Sequence, residues 1–267
     1  MNVCASPVRS LLVRGMLAGL IAGLFAFAVA YAVGEPPVAG SIAVEEAQSA
    51  KEAQSAQMNH AGHGGAAPKE AAGEEEEVVS RPMQSTAGLA TGVLVYGVAL
   101  GGLVSLAFSF ALGRVGRFSP RATAALTAAA AFTTVYLVPF LKYPATPPAV
   151  GNPDTIGKRT TLFFLMILLS VLLGIAAIIA GRRLAPRLGN WNVTLAAGAG
   201  FIVAVAIAFV FLPANTDAVK ASFPAALLWE FRVASLAIQA VLWTVFGIVF
   251  GALAQRVLTP RTIGAEA

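Results

Sequence analysis

Two histidines, His60 and His63, are the residues of this chain best suited to bind a transition metal. They lie in the stretch MNHAGHGG, with Met58 just before them and four consecutive glutamates at 74–77. Imidazole nitrogens bind cobalt, nickel, copper and zinc, and a glycine-rich segment lets two imidazoles converge on one ion. Two histidines are a weak ligand set, because structural metal sites usually have about four ligands. The segment is therefore either a weak metal-capture site or a solvated polar loop, and the residues leave both open.

A second set of charges lies in WEFR, at the start of the last apolar run. Placing a charge at the bilayer centre costs ~2.5–3.5 kcal/mol, so Glu230 and Arg232 are candidate functional residues if they lie inside the span. Two residues apart on a helix, they point to nearly opposite sides and need separate partners. The candidate partners are Lys142, Lys158 and Arg159 for Glu230, and Asp154 and Asp217 for Arg232. Alternatively, the helix starts later and both charges extend to the interface beside Trp229.

Two proline-containing stretches resemble each other and flank apolar runs. FLKYPAT at 140–146 contains Lys142 and Tyr143, and the shorter FLPANT at 211–216 contains Asn215. They suggest a repeated helical hairpin, with the third and fourth helices matching the fifth and sixth, although short loop entries also resemble each other by chance. Asn152, Pro153 and Asp154 predict a rigid turn, in which Asp154 is a turn former or, less favoured, an oxygen ligand.

Composition identifies the chain as a membrane protein, because 57% of its 267 residues are hydrophobic and only 12% are charged. Apolar runs long enough to cross ~30 Å of hydrocarbon predict an all-α, polytopic helix bundle with about six transmembrane helices, or five if the first is cleaved. The predicted spans are 11–34, 86–112, 121–141, 160–181, 192–212 and 225–255.

The first apolar run raises the alternative of a signal peptide. Its apolar stretch of about 18 residues exceeds the ~7–15 of a cleaved signal, which favours a retained helix. Gly15, Gly19 and Gly23 repeat at four-residue intervals, as in helices that pack closely in membranes, and Gly247 and Gly251 repeat the spacing in the last helix. Glycine is also simply common in membrane helices.

Charge predicts the orientation. With six spans, the side that holds both termini carries ten basic residues and one acid, whereas the other side carries eight basic residues and twelve acids. Positive loops stay in the cytoplasm, so both termini are predicted to be cytoplasmic. The basic balance is therefore a topology signal, and nucleic-acid binding is not indicated. The single cysteine, Cys4, excludes an internal disulfide.

These observations divide the chain into four parts. Residues 1–34 are the N-terminal tail and first helix, 35–85 an outward acidic loop, 86–257 a five-helix membrane domain and 258–267 a cytoplasmic tail. The loop is too poor in large apolar residues to bury a core, so it is predicted to be mostly disordered, with a helical patch in AVEEAQSAKEAQSAQ.

In this order, the features resemble the CbtA family of predicted cobalt transporter subunits. The similar stretches are VRGMLAGLIAGL, the histidine-bearing acidic loop, VVSRPMQSTAGL, VYGVALGGL, FLKYPATPPAVGNPDTIGKRT and LLWEFRVASLAIQAVLW. The resemblance covers nearly the whole chain. It implies a bacterial inner-membrane protein that takes up cobalt for cobalamin synthesis together with a small, single-span, histidine-bearing CbtB subunit. Many relatives carry a denser histidine run, so His60 and His63 alone weaken the loop as a high-affinity site.

The sequence thus predicts a lipid-embedded permease subunit for cobalt or nickel, with no bound cofactor and no enzymatic activity. No phosphate-binding loop is present, so the energy must come from a gradient or another protein. The alternative is a membrane scaffold that assembles a metal-handling partner and transports nothing, and a homo-oligomer remains open. The candidate path or gate residues are Lys142, Tyr143, Asp154, Asn215, Glu230 and Arg232, with Glu230 favoured for an ion or gate role.

Overall fold

The computed structural model describes residues 7–60, 80–148, 150–215, 219 and 222–259. This part of the chain is helical and contains no strand. The α-helices are α1 (Pro7–Val29), α2 (Glu35–His60), α3 (Arg81–Met83), α4 (Leu89–Ala111), α5 (Pro120–Ala131), α6 (Val138–Lys142), α7 (Ile156–Leu188), α8 (Asn190–Phe211) and α9 (Ala225–Leu258). Three π-helical turns, Ala30–Gly34, Gln84–Gly88 and Phe132–Leu137, join α1 to α2, α3 to α4 and α5 to α6.

Five continuous helical stretches in the described residues are long and apolar enough to cross a membrane. The fourth stretch, Ile156–Phe211, holds two helices that fold back on each other at Gly189. Gly189 has φ 76°, a left-handed conformation that glycine adopts without steric cost. The predicted all-α polytopic bundle is therefore confirmed, and α7 and α8 together account for two of the six predicted spans.

α1 and α4 cross at a glycine contact. A Cβ atom on Gly19 would overlap the carbonyl oxygen of Gly97, and one on Gly97 would lie 2.6 Å from the carbonyl oxygen of Gly19. Gly15 and Gly101 make an equivalent contact one turn away. Only residues without a side chain let two backbones approach this closely, which is how helices gain packing energy in lipid. The predicted close approach along one face of the first helix is thus realised against α4.

α9 completes the main bundle by packing against α1 and α5. Its inner half presents Phe250, whose ring centroid lies 5.0 Å from that of Phe108 on α4 and 5.3 Å from that of Phe246. Gly247 lets α9 approach Ala128 of α5. The buried residues of α1, α4, α5 and α9 form one continuous core, so these helices form the stable part of the molecule.

The α7–α8 hairpin is attached to the side of this bundle. A smaller apolar cluster of Val138, Tyr143, Met166 and Val205 joins it to α6. The Ser170 hydroxyl also donates to the carbonyl oxygen of Thr134, in the third π-helical turn. The surfaces of α7 and α8 that point away from α6 are largely exposed, as expected of helices that contact lipid.

Two expectations from the sequence differ from the structure. The loop 35–85 was predicted to be mostly disordered with a helical patch, but its first part, Glu35–His60, continues the first helix as α2, which contains that patch. Ser41 inside α2 is buried, and Gly40 lies so close to α9 that a Cβ on it would come within 3.0 Å of the Leu227 side chain, so tertiary packing supports this helix. The remainder of that loop up to residue 79 lies outside the described residues.

The predicted repeat of two hairpins is wrong as a packing arrangement in the described part of the chain. α8 pairs with α7, whereas α9 packs on α1 and α5. The similar loop entries had suggested the repeat, but the small residues of α1, α5 and α9 give α9 a closer partner than α8.

Candidate functional site

The two similar loop entries meet at the end of the hairpin where α8 ends. Lys142 donates from Nζ to the carbonyl oxygen of Phe209 at 2.7 Å, and the Tyr143 hydroxyl donates to the carbonyl oxygen of Pro213 at 2.8 Å. Both acceptors lie at the C-terminal end of α8, where carbonyl groups lack helical partners and a positive charge is favourable. Burial raises the pKa of the Tyr143 hydroxyl, which keeps it a proton donor. Lys142 and Tyr143 therefore tie α6 to α8.

Arg232 makes a second contact between a helix and a loop carbonyl group. Its Nε lies 3.4 Å from the carbonyl oxygen of Ala145, so the start of α9 is joined to the loop after α6. The candidate partner Asp154 is not brought to Arg232, and Asp217 lies outside the described residues. Arg232 instead donates a hydrogen bond to a loop carbonyl oxygen. The spacing of residues in the sequence does not reveal this partner.

Glu230 lies in the second turn of α9 with its side chain exposed. It has no hydrogen bond or ion pair to any residue that the structure describes. The helix begins at Ala225, as predicted, so Glu230 lies near the N-terminal end of α9, and its exposed side chain does not face the bundle interior. Its role at an ion path or gate stays a prediction.

The remaining loop candidates are arranged around a turn and a helix end. The backbone N–H of Asp154 donates to Asn152 Oδ1 at 3.0 Å, which forms the predicted rigid turn, and the Asp154 side chain is exposed. Asn215 is exposed just beyond the C-terminal end of α8. These two residues are not gathered with Glu230 into one group.

The histidine segment begins at the outer end of α2. Met58 is 75% exposed, His60 is the last residue of the helix, and His63 lies outside the described residues. Within the described residues, no group of three or more histidine, cysteine, aspartate and glutamate side chains could hold a metal ion. Whether His60 and His63 bind metal stays a prediction.

Sequence reasoning missed an ion pair between Glu35 and Arg81. Glu35 directly follows the first π-helical turn, and Arg81 opens the short helix before the second, so the pair joins the C-terminal end of the α1 span to the N-terminal end of the α4 span. Their side chains are 19% and 34% exposed. The signal available in the sequence was that Glu35 directly follows the first predicted span and Arg81 lies five residues before the second.

Two polar groups inside the membrane-spanning helices were also missed. Trp243 donates from Nε1 to Gln239 Oε1 at 3.2 Å, within α9. Tyr136, in the third π-helical turn, has a buried hydroxyl oxygen without a hydrogen-bond partner within the described residues. Gln239, a polar residue within an apolar run, was the available signal for the first.

The fold defines a polytopic α-helical membrane protein in which Lys142, Tyr143 and Arg232 join loops to helix ends. The family described as "Probable cobalt transporter subunit (CbtA)" matches residues 8–255. The chain therefore belongs to the CbtA family, as its sequence features had indicated. No curated protein and no solved structure gives a significant match.

Proposed function

We propose that this protein is the permease subunit of a cobalt uptake system in the bacterial inner membrane, linked to cobalamin synthesis. The observation that carries the proposal is the match to a family of probable cobalt transporter subunits over nearly the whole chain. The protein is a transport component and has no enzymatic role in this proposal. Cobalt or nickel is its cargo, and no resident cofactor is required.

The orientation in the proposal places both termini in the cytoplasm. α1 and α9 run antiparallel, because Gly34 contacts Ile238 and Gly40 contacts Leu227, so the start of α1 and the end of α9 share a side. The basic residues of that side include Arg9, Arg14 and Arg256. Positively charged loops are held in the cytoplasm, which supports this orientation.

Capture of the metal ion by the histidine-bearing segment is the first step of the proposed transport route. α2 has 26 residues, about 39 Å of helix, and it leads outward from the membrane domain to His60. In the proposal His60, His63 and Met58 raise the local metal concentration, and a small single-span histidine-bearing subunit of the CbtB type supplies further ligands. A partner is favoured because structural metal sites usually have about four ligands, more than this segment provides with its two imidazoles.

A scaffold that assembles a metal-handling partner and transports nothing is the second candidate. It is favoured by the use of Lys142, Tyr143 and Arg232 as ties to backbone carbonyls, which is a structural role. The two candidate functions predict different effects on metal uptake when an exposed outer charge is removed. A path residue is needed for uptake, whereas a scaffold tolerates its loss.

The test is cellular uptake of radioactive cobalt, with nickel as competitor, in a transport-deficient bacterium expressing the protein with and without its partner. Wild type is compared with Glu230→Gln and with the double variant His60→Ala, His63→Ala, after each is shown to be present in the membrane. Glu45→Gln on α2 is the matched control, because it removes another exposed outer carboxylate. Loss of uptake in Glu230→Gln alone supports a permease path. Wild-type protein that accumulates no metal, even with the partner, overturns the permease proposal.

A further inference from the structure

The α7–α8 hairpin contains an apolar groove. Its volume is about 290 Å³, and it is lined by twelve residues that lie between Leu173 and Leu184 on α7 and between Val193 and Ala204 on α8. Every lining residue is apolar, and eight of the twelve are alanine or glycine, so the groove is open because the side chains of its walls are small. A Cβ atom on Gly200 would meet no atom within 4 Å. The space beside Gly200 is therefore left unfilled by the described chain.

The groove has the length of one leaflet of a bilayer. Its lining extends from 173 to 184 and from 193 to 204, eleven steps or about 16 Å along each helix. The hydrocarbon core of a bilayer is ~30 Å thick, so one leaflet contributes ~15 Å. A water molecule occupies about 30 Å³ of liquid, so the groove has room for roughly ten groups of that size, and a methylene group is similarly small. A stretch of acyl chain from one leaflet therefore fits the groove.

Arginine side chains lie at the end of the groove nearest the hairpin turn. Arg187 lies three residues beyond Leu184, so it continues the face of α7 that lines the groove. Arg183 borders the same face, three residues beyond Ala180. Both arginines are exposed, and neither has a hydrogen bond or ion pair to another residue that the structure describes. This end of the groove therefore carries positive charge that no described carboxylate neutralises.

The N-terminal end of α8 lies at the same end of the groove. α8 begins at Asn190, directly after Gly189, which has no side chain to cap the helix. The first N–H groups of a helix lack helical partners and carry partial positive charge, so they favour a phosphate group. Asn190 lies three residues before Val193, on the groove face of α8, and its side chain is exposed. A negatively charged head group is therefore favoured where an acyl chain leaves the groove.

This end of the hairpin lies on the side of the membrane domain where α9 ends. A Cβ atom on Gly251 of α9 would lie 3.4 Å from the carbonyl oxygen of Arg121, so the start of α5 is beside the last turns of α9. α5 and α6 lead from there to Lys142, which binds the opposite end of α8 at Phe209. The Gly189 turn is therefore on the side that the proposed orientation places in the cytoplasm.

We propose that the α7–α8 groove binds one anionic phospholipid, with an acyl chain between the two helices and the phosphate beside Arg187 and the start of α8. Basic pockets between transmembrane helices bind anionic head groups, and a guanidinium group can bind two phosphate oxygens at once. The positive charge at the groove end favours this occupant over an uncharged lipid. The site goes beyond the proposed function and does not depend on it, because neither the groove nor its charges involve the metal.

Lipid binding is tested on purified full-length protein in detergent by native mass spectrometry. Dioleoylphosphatidylglycerol, an anionic lipid, should bind saturably and with higher affinity than dioleoylphosphatidylcholine, which has the same acyl chains and no net charge. Glycerol phosphate, which has the phosphate and no acyl chain, should not compete. Equal affinity for the two lipids, or competition by glycerol phosphate at matched concentration, would overturn the proposal.

Two substitutions remove the two halves of the site, and each has a matched control. Arg187→Gln should weaken the apparent affinity for phosphatidylglycerol about fivefold, the contribution of one basic residue near an anionic lipid. Arg182→Gln is its control, because Arg182 is also exposed but points to nearly the opposite side of α7. Gly200→Leu should weaken the affinity at least as much, because the leucine side chain occupies the groove. Gly198→Leu is its control, because a Cβ on Gly198 also meets no neighbour, but Gly198 does not line the groove.

Weaker binding in Arg187→Gln and Gly200→Leu, with both controls unchanged, supports the site. Size-exclusion chromatography first shows which variants fold, and the two arginine variants alone still decide if Gly200→Leu does not. Equal affinity of wild type and all folded variants refutes the site. If Gly200→Leu leaves lipid affinity unchanged but converts a dimer in the same spectra to a monomer, the groove binds a helix of a second copy and the lipid proposal fails. Binding is measured without metal, so none of these outcomes depends on cobalt transport.

Discussion

Lys142 Nζ lies 2.7 Å from the carbonyl oxygen of Phe209, so the end of α6 caps the C-terminal end of α8. The two residues are 67 positions apart; Lys142 belongs to the first of the two similar loop entries, and Phe209 lies in α8 two residues before the second. Together with the Tyr143 bond to Pro213, this contact attaches the α7–α8 hairpin to α6 at the end where α8 ends. The similarity between the two loops therefore has a structural consequence even though the hairpins do not pack as a repeat.

Replacing Lys142 by methionine should destabilise the protein by roughly 1–2 kcal/mol, because a charge-assisted bond to helix-end carbonyls is lost while the apolar stem is kept. Thermal unfolding in detergent measures the effect. Lys158→Met is the control, since Lys158 is exposed at the start of α7 and its loss should change the midpoint little. Equal midpoints for the two variants would show that the Lys142 cap contributes nothing.

The contribution of Tyr143 should depend on pH. Burial raises the pKa of the Tyr143 phenol above its ordinary value of about 10. As the pH rises, the phenol therefore ionises in the unfolded chain before it ionises in the folded protein. The stabilisation of the folded protein by Tyr143 is fully present below about pH 10 and is lost as the pH rises through the higher pKa of the folded state. The unfolding midpoint of wild type minus that of Tyr143→Phe, measured from pH 8 to 11, should shrink at the alkaline end. A constant difference would contradict this expectation.

Gly19→Ala should prevent normal packing of α1 on α4, because the added methyl group meets the carbonyl oxygen of Gly97 and backbone cannot move aside cheaply. We expect a large fall in folded protein recovered from membranes. Gly92→Ala is the matched control on α4, where a Cβ has no neighbour within 4 Å. Size-exclusion chromatography after solubilisation measures both, and similar monodisperse yields would argue against a close helix crossing.

The Glu35–Arg81 pair should show coupling in a double-mutant cycle. Each single change, Glu35→Gln or Arg81→Gln, should lower the free energy of unfolding by about 0.5–1 kcal/mol. The value is small because both side chains still contact solvent, which weakens an ion pair. The double change should cost less than the two together. Raising the salt concentration should reduce the coupling energy, which unfolding midpoints at low and high salt measure. Additive single effects would show that the two charges do not interact.

Much of the architecture follows from the sequence because lipid imposes simple rules. Backbone groups in hydrocarbon must be hydrogen-bonded within the segment, so apolar runs of sufficient length form helices whatever their neighbours. Run length therefore predicts the spans, including the start of the last helix at Ala225. The four-residue spacing of Gly15, Gly19 and Gly23 similarly predicts one face of close approach.

Helix partners and side-chain contacts were decided only by the tertiary structure. Composition predicts disorder for 35–60, but contacts such as Gly40 with Leu227 supply support that local sequence does not contain. Arg232 and Lys142 bind backbone carbonyls, and every residue offers a carbonyl, so sequence cannot indicate which one is used.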